Sequence, residues 1–399
     1  MMMIKVATAC TTEIDNIEVA VSEITAQLAA QGAMDVHRLG IISCHYEFVL
    51  TGVPEALCRA LPFPVMGMST AITGINPIAP EAAADTADNP LCLSLMVLSG
   101  GDDMDFRFET VVTEPVKPGM NIDDLIRPVF AGKEKPKLAL TFGTGISVLP
   151  GDRLVAAVTE HSGGAPLFGA FSVDDSPTYA EDCFVVSSQG VFRDRVGFAL
   201  LYGDIEPKFY SASISEKNIL PNWSVVTAVS GREIQSINNK PVTDFLDSYG
   251  ISGETLASGG GMSLSLILRD EDDGPYYTRV MMQLTPENTL ICAGELKEGT
   301  HIRLGWMERN DMLYTAGEVM QTVLSENRGQ KAAALIYSCA TRSSELGADV
   351  LSEVQVVREA MGQAPFMMAY AGGELGPIVY KDGRFSNKFF NQTFIVCVL

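Results

Sequence analysis

One order of structural signals recurs three times along the chain, and it constrains the fold more than any other feature. Each time an apolar strand precedes an amphipathic helix, and a strand that opens on proline follows the helix. Proline suits the first residue of a strand, because no ladder hydrogen bond is required from its nitrogen. A hairpin signal then closes the unit. The first strands are 41–50, 137–141 and 332–338, and the prolines are Pro64, Pro166 and Pro365.

This repeat predicts an α/β protein in which duplicated strand–helix–strand–hairpin units form two mixed-sheet domains. Connectors that contain proline and glycine, at 113–136 and 206–221, separate the copies. We expect a first domain over residues 1–221, with internal copies at about 41–112 and 137–203. A second domain is expected over residues 222–399.

The charge balance excludes two classes of partner. Lysine and arginine total 28 while aspartate and glutamate total 49, so the net charge is −21. Phosphate backbones and anionic membrane surfaces repel such a chain, and neither a nucleic acid nor a membrane is expected as a partner. No apolar run approaches the ~20 residues that a membrane span requires.

The cysteines and histidines indicate a reducing compartment. The 8 cysteines include no Cys-x-x-Cys pair, and the 4 histidines are scattered. This spacing is typical of small core residues rather than of disulfides or zinc ligands. The apolar start of the chain is short and acidic residues follow it, so no secretory signal is expected. We therefore expect a cytoplasmic location, with neither a metal nor another cofactor.

Polar residues gather where the strands of the third copy end. Cys339 and Arg342 follow the first strand, Glu374 follows the proline-led strand, and Asn391, Gln392 and Thr393 interrupt the last strand. In open α/β sheets, ligands bind beyond the carboxyl ends of strands. A guanidinium group suits a carboxylate and a carboxylate suits an ammonium group, so the set complements a zwitterion. All six are candidate ligand-binding residues, and we expect Arg342, Glu374, Asn391 and Thr393 to converge on one cavity for a small polar ligand, with an amino acid as the example.

The first two copies carry small hydroxyl residues after their proline-led strands, namely Ser69, Thr70 and Ser172. Glu374 is expected at the equivalent strand end of the third copy. All of these are candidate ligand-binding residues, and their spacing implies a catalytic role for none of them.

Each candidate also has a structural alternative. Arg342 can form a surface ion pair with Glu345 or Glu374, and the 391–393 triplet can pin the last hairpin through a polar network. Cys339 would need a histidine base to act as a nucleophile, and no histidine spacing implies one. A satisfied core thiol is the expected state of Cys339.

The chain resembles FIST-domain proteins almost from end to end. In the C-terminal half, the resemblance rests on Asn239-Lys-Pro241, Glu298-Gly299-Thr-His, Ser338-Cys339-Ala-Thr-Arg342, Gly373-Glu374-Leu-Gly376-Pro377 and Asn391-Gln392-Thr393. In the N-terminal half, it rests on the small-residue turns at Gly67-Met-Ser69-Thr70 and Gly169-Ala-Phe-Ser172. The resemblance implies a stand-alone sensory module for small ligands, which signals through a partner protein.

Three functions remain open from the sequence. The first is an intracellular sensory module that binds a small polar ligand. The second is an enzyme that acts on a small amine or acid, with Cys339 or Glu374 as the active group. The third is a non-catalytic assembly or scaffold protein, for which a homodimer is one form.

Overall fold

The computed structural model describes residues 4–75, 91–176, 181–257, 263–269, 274–327 and 333–399. The first copy of the repeat opens the chain. Its strands are β1 (Lys5–Thr11), β2 (Leu39–His45), β3 (Val65–Thr70), β4 (Ile72–Ile75) and β5 (Leu93–Ser99). Its helices are α1 (Ile17–Ala30), α2 (Tyr46–Thr51) and α3 (Val53–Ala60).

The second copy follows directly. Its strands are β6 (Phe106–Val112), β7 (Leu138–Gly143), β8 (Leu167–Phe171), β9 (Val185–Ser187), β10 (Gly190–Phe192) and β11 (Val196–Gly203). Its helices are α4 (Ile122–Phe130) and α5 (Gly151–His161).

The third copy is interrupted by an inserted segment. It begins with β12 (Lys208–Ala212). The insert then supplies β13 (Ser224–Ser230), β14 (Glu233–Ile237), β15 (Lys240–Pro241), α6 (Val242–Ser248), α7 (Gly253–Ala257), β16 (Leu264–Leu268), β17 (Tyr277–Leu284), β18 (Leu290–Cys292) and β19 (His301–Trp306). The copy resumes with α8 (Arg309–Glu326), β20 (Ala334–Cys339), α9 (Ala340–Leu346), α10 (Leu351–Met361), β21 (Phe366–Ala371), β22 (Glu374–Val379), β23 (Phe385–Phe390) and β24 (Phe394–Val398).

The parallel strand pair is the common element of the three copies. The first strand pairs in parallel with the proline-led strand in each: β2 with β3, β7 with β8, and β20 with β21. Their neighbours are antiparallel, so the sheets are mixed. Both the predicted α/β class and the equivalence of the three proline-led strands are confirmed.

The copies exchange hairpin strands in a cycle. Sheet 1 has the order β1-β5-β2-β3-β9-β10, sheet 2 has β23-β22-β8-β7-β11-β6, and sheet 3 has β12-β24-β20-β21-β4. The second copy thus extends the sheet of the first, the third extends the second, and the first extends the third. Strands from both sides of residue 222 therefore share sheets 2 and 3. The division into domains near that residue stays a prediction.

The insert forms a fourth sheet, in the order β13-β19-β16-β17-β18-β14-β15. It has its own apolar core. The three sheets of the repeat instead turn their inner faces toward one shared core, to which Met66, Phe168 and Tyr337 contribute. Helices cover the outer faces: α1 and α3 on sheet 1, α4 and α5 on sheet 2, and α8 and α10 on sheet 3.

The ends of the proline-led strands meet one another in a ring. Ser69 Oγ lies 2.7 Å from Ser172 Oγ, which joins the first copy to the second. The Gly372 N–H donates to the Phe171 carbonyl at 2.8 Å, and the Ala71 N–H donates to the Tyr370 carbonyl at 3.2 Å. The carboxyl ends of three parallel pairs therefore lie at one end of the shared core. In the part of the chain that the structure describes, no helix is both long and apolar enough to cross a membrane.

Candidate functional site

A cavity of about 70 Å³ lies between the third copy and the inserted sheet, and two residues of the second copy also line it. Two of its walls are the strand ends at Cys339 and Ala371, and a third is β17 of the insert, through Val280 and Met282. The remaining lining residues are Ile146, Val173, Ala293, Ala340, Thr341, Gly372 and Asn391. The cavity thus occupies the position beyond parallel strand ends where α/β folds bind ligands.

Asn391 supplies a polar group to this mostly apolar wall. Its Nδ2 donates to the Phe390 carbonyl at 2.9 Å, so Oδ1 is the side-chain atom that remains to accept a hydrogen bond. Asn391 is 3% exposed, and Oδ1 accepts no hydrogen bond from the described residues. A buried acceptor in this state is satisfied by water or by a ligand.

Cys339 and Glu374 form a buried polar pair next to the cavity. The Thr341 hydroxyl donates to Cys339 Sγ at 3.2 Å, and the Glu374 carboxyl lies near this thiol. Burial, reinforced by the nearby Glu374 carboxyl, raises the pKa of the Cys339 thiol to about 12. Burial also raises the pKa of Glu374 well above its ordinary value, because one N–H, from Thr393 at 3.4 Å, and the more distant Arg342 offset little of the desolvation. Oε1 of Glu374 has no hydrogen-bond partner among the described residues.

Arg342 does not reach the cavity wall. It is fully buried, and its guanidinium group pairs with Glu353 of α10 through Nε at 3.0 Å and through Nη2. Nη2 also donates to the Met312 carbonyl at the start of α8, at 3.0 Å. The surface pairing with Glu345 or Glu374 that the sequence suggested is not the one observed. Arg342 fixes α9, whose residues Ala340 and Thr341 line the cavity.

The 391–393 triplet lies between β23 and β24 rather than inside a strand, which explains why it breaks the alternation of apolar residues. Gln392 adopts a left-handed backbone conformation with φ of 54°. Its side-chain carbonyl accepts from Ser265 in β16, and the Asn391 carbonyl accepts from the hydroxyls of Thr278 in β17 and of Thr393. The triplet therefore joins the cavity to the inserted sheet.

Ser69, Thr70 and Ser172 lie in a second polar cluster. The Phe184 N–H donates to the hydroxyls of Ser69 and Ser172 at 3.0 and 2.9 Å, while Thr70 Oγ1 lies 3.1 Å from Ser43 Oγ. All three side chains are buried, and none lines the cavity.

The expected equivalence of Glu374 with Thr70 and Ser172 is wrong. Thr70 follows Pro64 by six positions and pairs with His45, and the residue six positions after Pro365 is Ala371, which pairs with Cys339. Glu374 belongs to the next strand, β22, where it pairs with Ala170 of the second copy. Glu374 lies three residues beyond Ala371, and the chain enters the next strand within that distance.

The apolar part of the site was not predicted. Ile146, Val280, Met282 and Ala293 line the cavity, but they come from distant parts of the chain. Aliphatic residues in strands and loops resemble any other core residue, so no local signal marks them.

Comparison with solved structures gives distant similarities. One is to a cyanuric acid hydrolase from A. caulinodans, with a TM-score of 0.37 and 7% identity over 100% of this chain and 99% of that chain. Another is to phosphoribosylformylglycinamidine synthase II from Thermotoga maritima, with a TM-score of 0.20 and 12% identity over 100% of this chain and 71% of that chain. No curated protein sequence matches the chain.

Family comparison gives two adjacent matches that together span most of the chain. Residues 38–240 match the FIST N domain, and residues 243–377 match the FIST C domain. FIST domains are in general sensory domains that bind ligands in signalling. The chain belongs to the FIST family.

Proposed function

We propose that this protein is a sensory receptor that binds a small molecule in the cavity between the third copy and the inserted sheet. The observation that carries the proposal is the buried Asn391 Oδ1, which has no partner among the described residues and lies in the wall of that cavity. The position beyond parallel strand ends supports it, as does the general role of FIST domains.

The cavity favours a small ligand with an apolar body. A volume of about 70 Å³ holds roughly five water-sized groups. An amino acid would place its carboxylate here, but no lysine or arginine is among the lining residues. Arg342, which was expected to bind that carboxylate, is engaged by Glu353. These contacts support a ligand without a carboxylate over an amino acid.

The contacts of the triplet suggest how occupancy is transmitted. Asn391 lines the cavity, and its carbonyl accepts from Thr278 of β17. The same strand places Val280 and Met282 against the ligand. A ligand that prefers one position of β17 therefore shifts the population of insert positions, and a partner protein that binds the insert would read the change. The 8 free cysteines support a reducing, cytoplasmic setting for that partner.

Thermal-shift screening of small amines, alcohols, amides and acids tests this function. We expect at least one compound to raise the melting temperature of the wild-type protein, because a ligand stabilises the state that it binds. Ala293→Leu fills the cavity and should abolish the shift. Ala30→Leu, at an exposed position of α1, is the matched control and should preserve it. The same shift in both variants would place the ligand elsewhere.

The enzyme alternative receives less support from the site. A cysteine nucleophile acts as the thiolate. Burial holds the pKa of Cys339 at about 12, so the thiol stays protonated near neutral pH. The scaffold alternative predicts no ligand-dependent shift at all, and the same screen distinguishes it.

A further inference from the structure

Two acceptors next to the cavity lack donors. Asn391 Oδ1 and Glu374 Oε1 are both buried, and neither accepts a hydrogen bond from the described residues. Thr341 is the lining residue that carries a hydroxyl, and that hydroxyl donates to the Cys339 sulfur. Since Asn391 of the wall offers an acceptor and the Glu374 carboxyl lies behind Cys339, a matching ligand brings N–H or O–H donors.

The residues that line the cavity include no lysine or arginine. The cation that acts on Glu374 is Arg342, whose Nε and Nη2 donate to Glu353, while its Nη1 has no hydrogen-bond partner among the described residues. A buried carboxyl without a counter-ion becomes protonated, because desolvation disfavours the charged form. Burial and the lack of a paired cation therefore favour the protonated form of Glu374 when the cavity holds no cation.

We infer, on the basis of the function proposed above, that the ligand carries a protonated amino head and that its binding releases one proton from Glu374. The ammonium group contacts Asn391 Oδ1 and the Cys339 sulfur, and it lies one side chain away from the Glu374 carboxyl. The O–H bond of Glu374 breaks, the proton passes to solvent buffer, and the ligand keeps its own proton. A neutral site becomes an ion pair of zero net charge, while the propyl-sized remainder of the ligand packs on Val280 and Met282.

The charged and titratable groups around Glu374 fit this exchange. Cys339 of β20 stays a neutral thiol, because burial raises its pKa to about 12. Arg342 of α9 is balanced by Glu353 of α10. The residues that pair with Glu374 in the neighbouring strands, Ala170 of β8 and Phe390 of β23, do not titrate. Glu374 is thus the group that loses a proton, and ligand affinity should rise with pH until Glu374 ionises without the ligand.

Calorimetric titration with n-propylammonium chloride tests the inference. Titrations at one near-neutral pH, in two buffers with different heats of ionisation, give the number of protons released. We expect one proton per bound ligand, and we expect n-propanol and propionate, which match its shape, to bind at least tenfold more weakly. Glu374→Gln should abolish the proton release and weaken binding about tenfold or more, a loss of about 1.4 kcal/mol or more. Glu345→Gln, on the exposed surface of α9, is the matched control and should change neither.

Other results separate this inference from the proposed function. The inference would be overturned if propylammonium bound without proton release, or if it bound Glu374→Gln with full affinity. Either result would leave the receptor proposal standing. Stronger binding of propanol or propionate would do the same. If Ala293→Leu abolishes the thermal shift of none of the compounds in the screen, the receptor proposal itself fails. Should Glu374→Gln not fold, the two-buffer titration of the wild-type protein still decides the question.

Discussion

Arg342 places a full charge in the interior, where water cannot stabilise it. Its partner Glu353 is equally buried, and Ser338 Oγ donates to the second carboxylate oxygen at 2.7 Å. Removal of one member of a buried pair leaves an uncompensated charge, which is costlier than the loss of the contact alone. We expect Arg342→Ala to lower the free energy of unfolding by about 3–5 kcal/mol, measured by urea denaturation.

Two variants control that measurement. Arg342→Met combined with Glu353→Leu removes both charges and should cost less than Arg342→Ala alone. Arg153 pairs with Glu295 at the surface at 2.8 Å, and Arg153→Ala should change stability by about 0–1 kcal/mol. A loss for Arg342→Ala as small as that of Arg153→Ala would show that the Arg342 charge is not held as described.

Glu374 should make stability depend on pH in a defined direction. Its pKa in the folded protein is raised well above the ordinary value of 4.5 by burial. Above pH 4.5 the unfolded chain loses this proton while the folded protein keeps it, so the folded state binds more protons. The contribution is therefore fully present below pH 4.5 and is lost as pH rises toward the folded pKa. Glu374→Gln should gain stability relative to the wild-type protein across that interval, as measured by denaturation midpoints at several pH values. A constant difference at all pH values would contradict the raised pKa.

At the level of elements, two proline-led strands lie unusually close to their parallel neighbours. A Cβ at Gly67 would lie 1.8 Å from the Ile42 carbonyl oxygen, and one at Gly169 would lie 1.9 Å from that of Thr141. Gly67 and Gly169 each lie three positions after the proline of their strand, and the residue three positions after Pro365 is Met368. The third copy therefore does not share this close contact between parallel backbones. The absence of a side chain at Gly67 and Gly169 is therefore a requirement of sheets 1 and 2.

Substitution of Gly67 tests that requirement. Gly67→Ala should lower the free energy of unfolding by about 1–3 kcal/mol or more, because backbone rather than a flexible side chain has to move. Gly317 in α8 is the matched control, since the nearest atom to its added Cβ is 4.0 Å away. Gly317→Ala should stabilise the protein by about 0.5–1 kcal/mol through helix propensity. Equal effects of the two substitutions in urea denaturation would refute the steric argument.

Local signals predicted the elements better than they predicted the strand partners. Pro64, Pro166 and Pro365 identified β3, β8 and β21, because proline at a strand start follows from local hydrogen bonding. The choice of β9, β22 or β4 as the next strand depends on which sheet edge is exposed after collapse, and nothing in residues 185–187 or 374–379 specifies it. The site shows the same division. The polar triplet at 391–393 was visible as a break in periodicity, whereas the wall supplied by Val280 and Ala293 depends on where the insert packs.

For the whole molecule, the cyclic exchange of strands makes folding a joint property of both halves. A chain that ends at residue 221 would lack β22, so the backbone of β8 in sheet 2 would be an unpaired edge. A chain that begins at residue 222 would lack both β12 beside β24 and β4 beside β21. Exposed sheet edges pair with other chains and promote aggregation.

We therefore expect fragments 1–221 and 222–399 to aggregate when they are expressed separately. Co-expression should restore a soluble complex with cooperative unfolding, because each fragment supplies the strands that the other lacks. Size-exclusion chromatography and thermal unfolding followed by circular dichroism measure both outcomes. The division near residue 222 would mark independent domains if fragment 1–221 alone were monomeric and unfolded cooperatively. Aggregation of the separate fragments with recovery on co-expression would instead show that three interlocked sheets, rather than two domains, are the unit that folds.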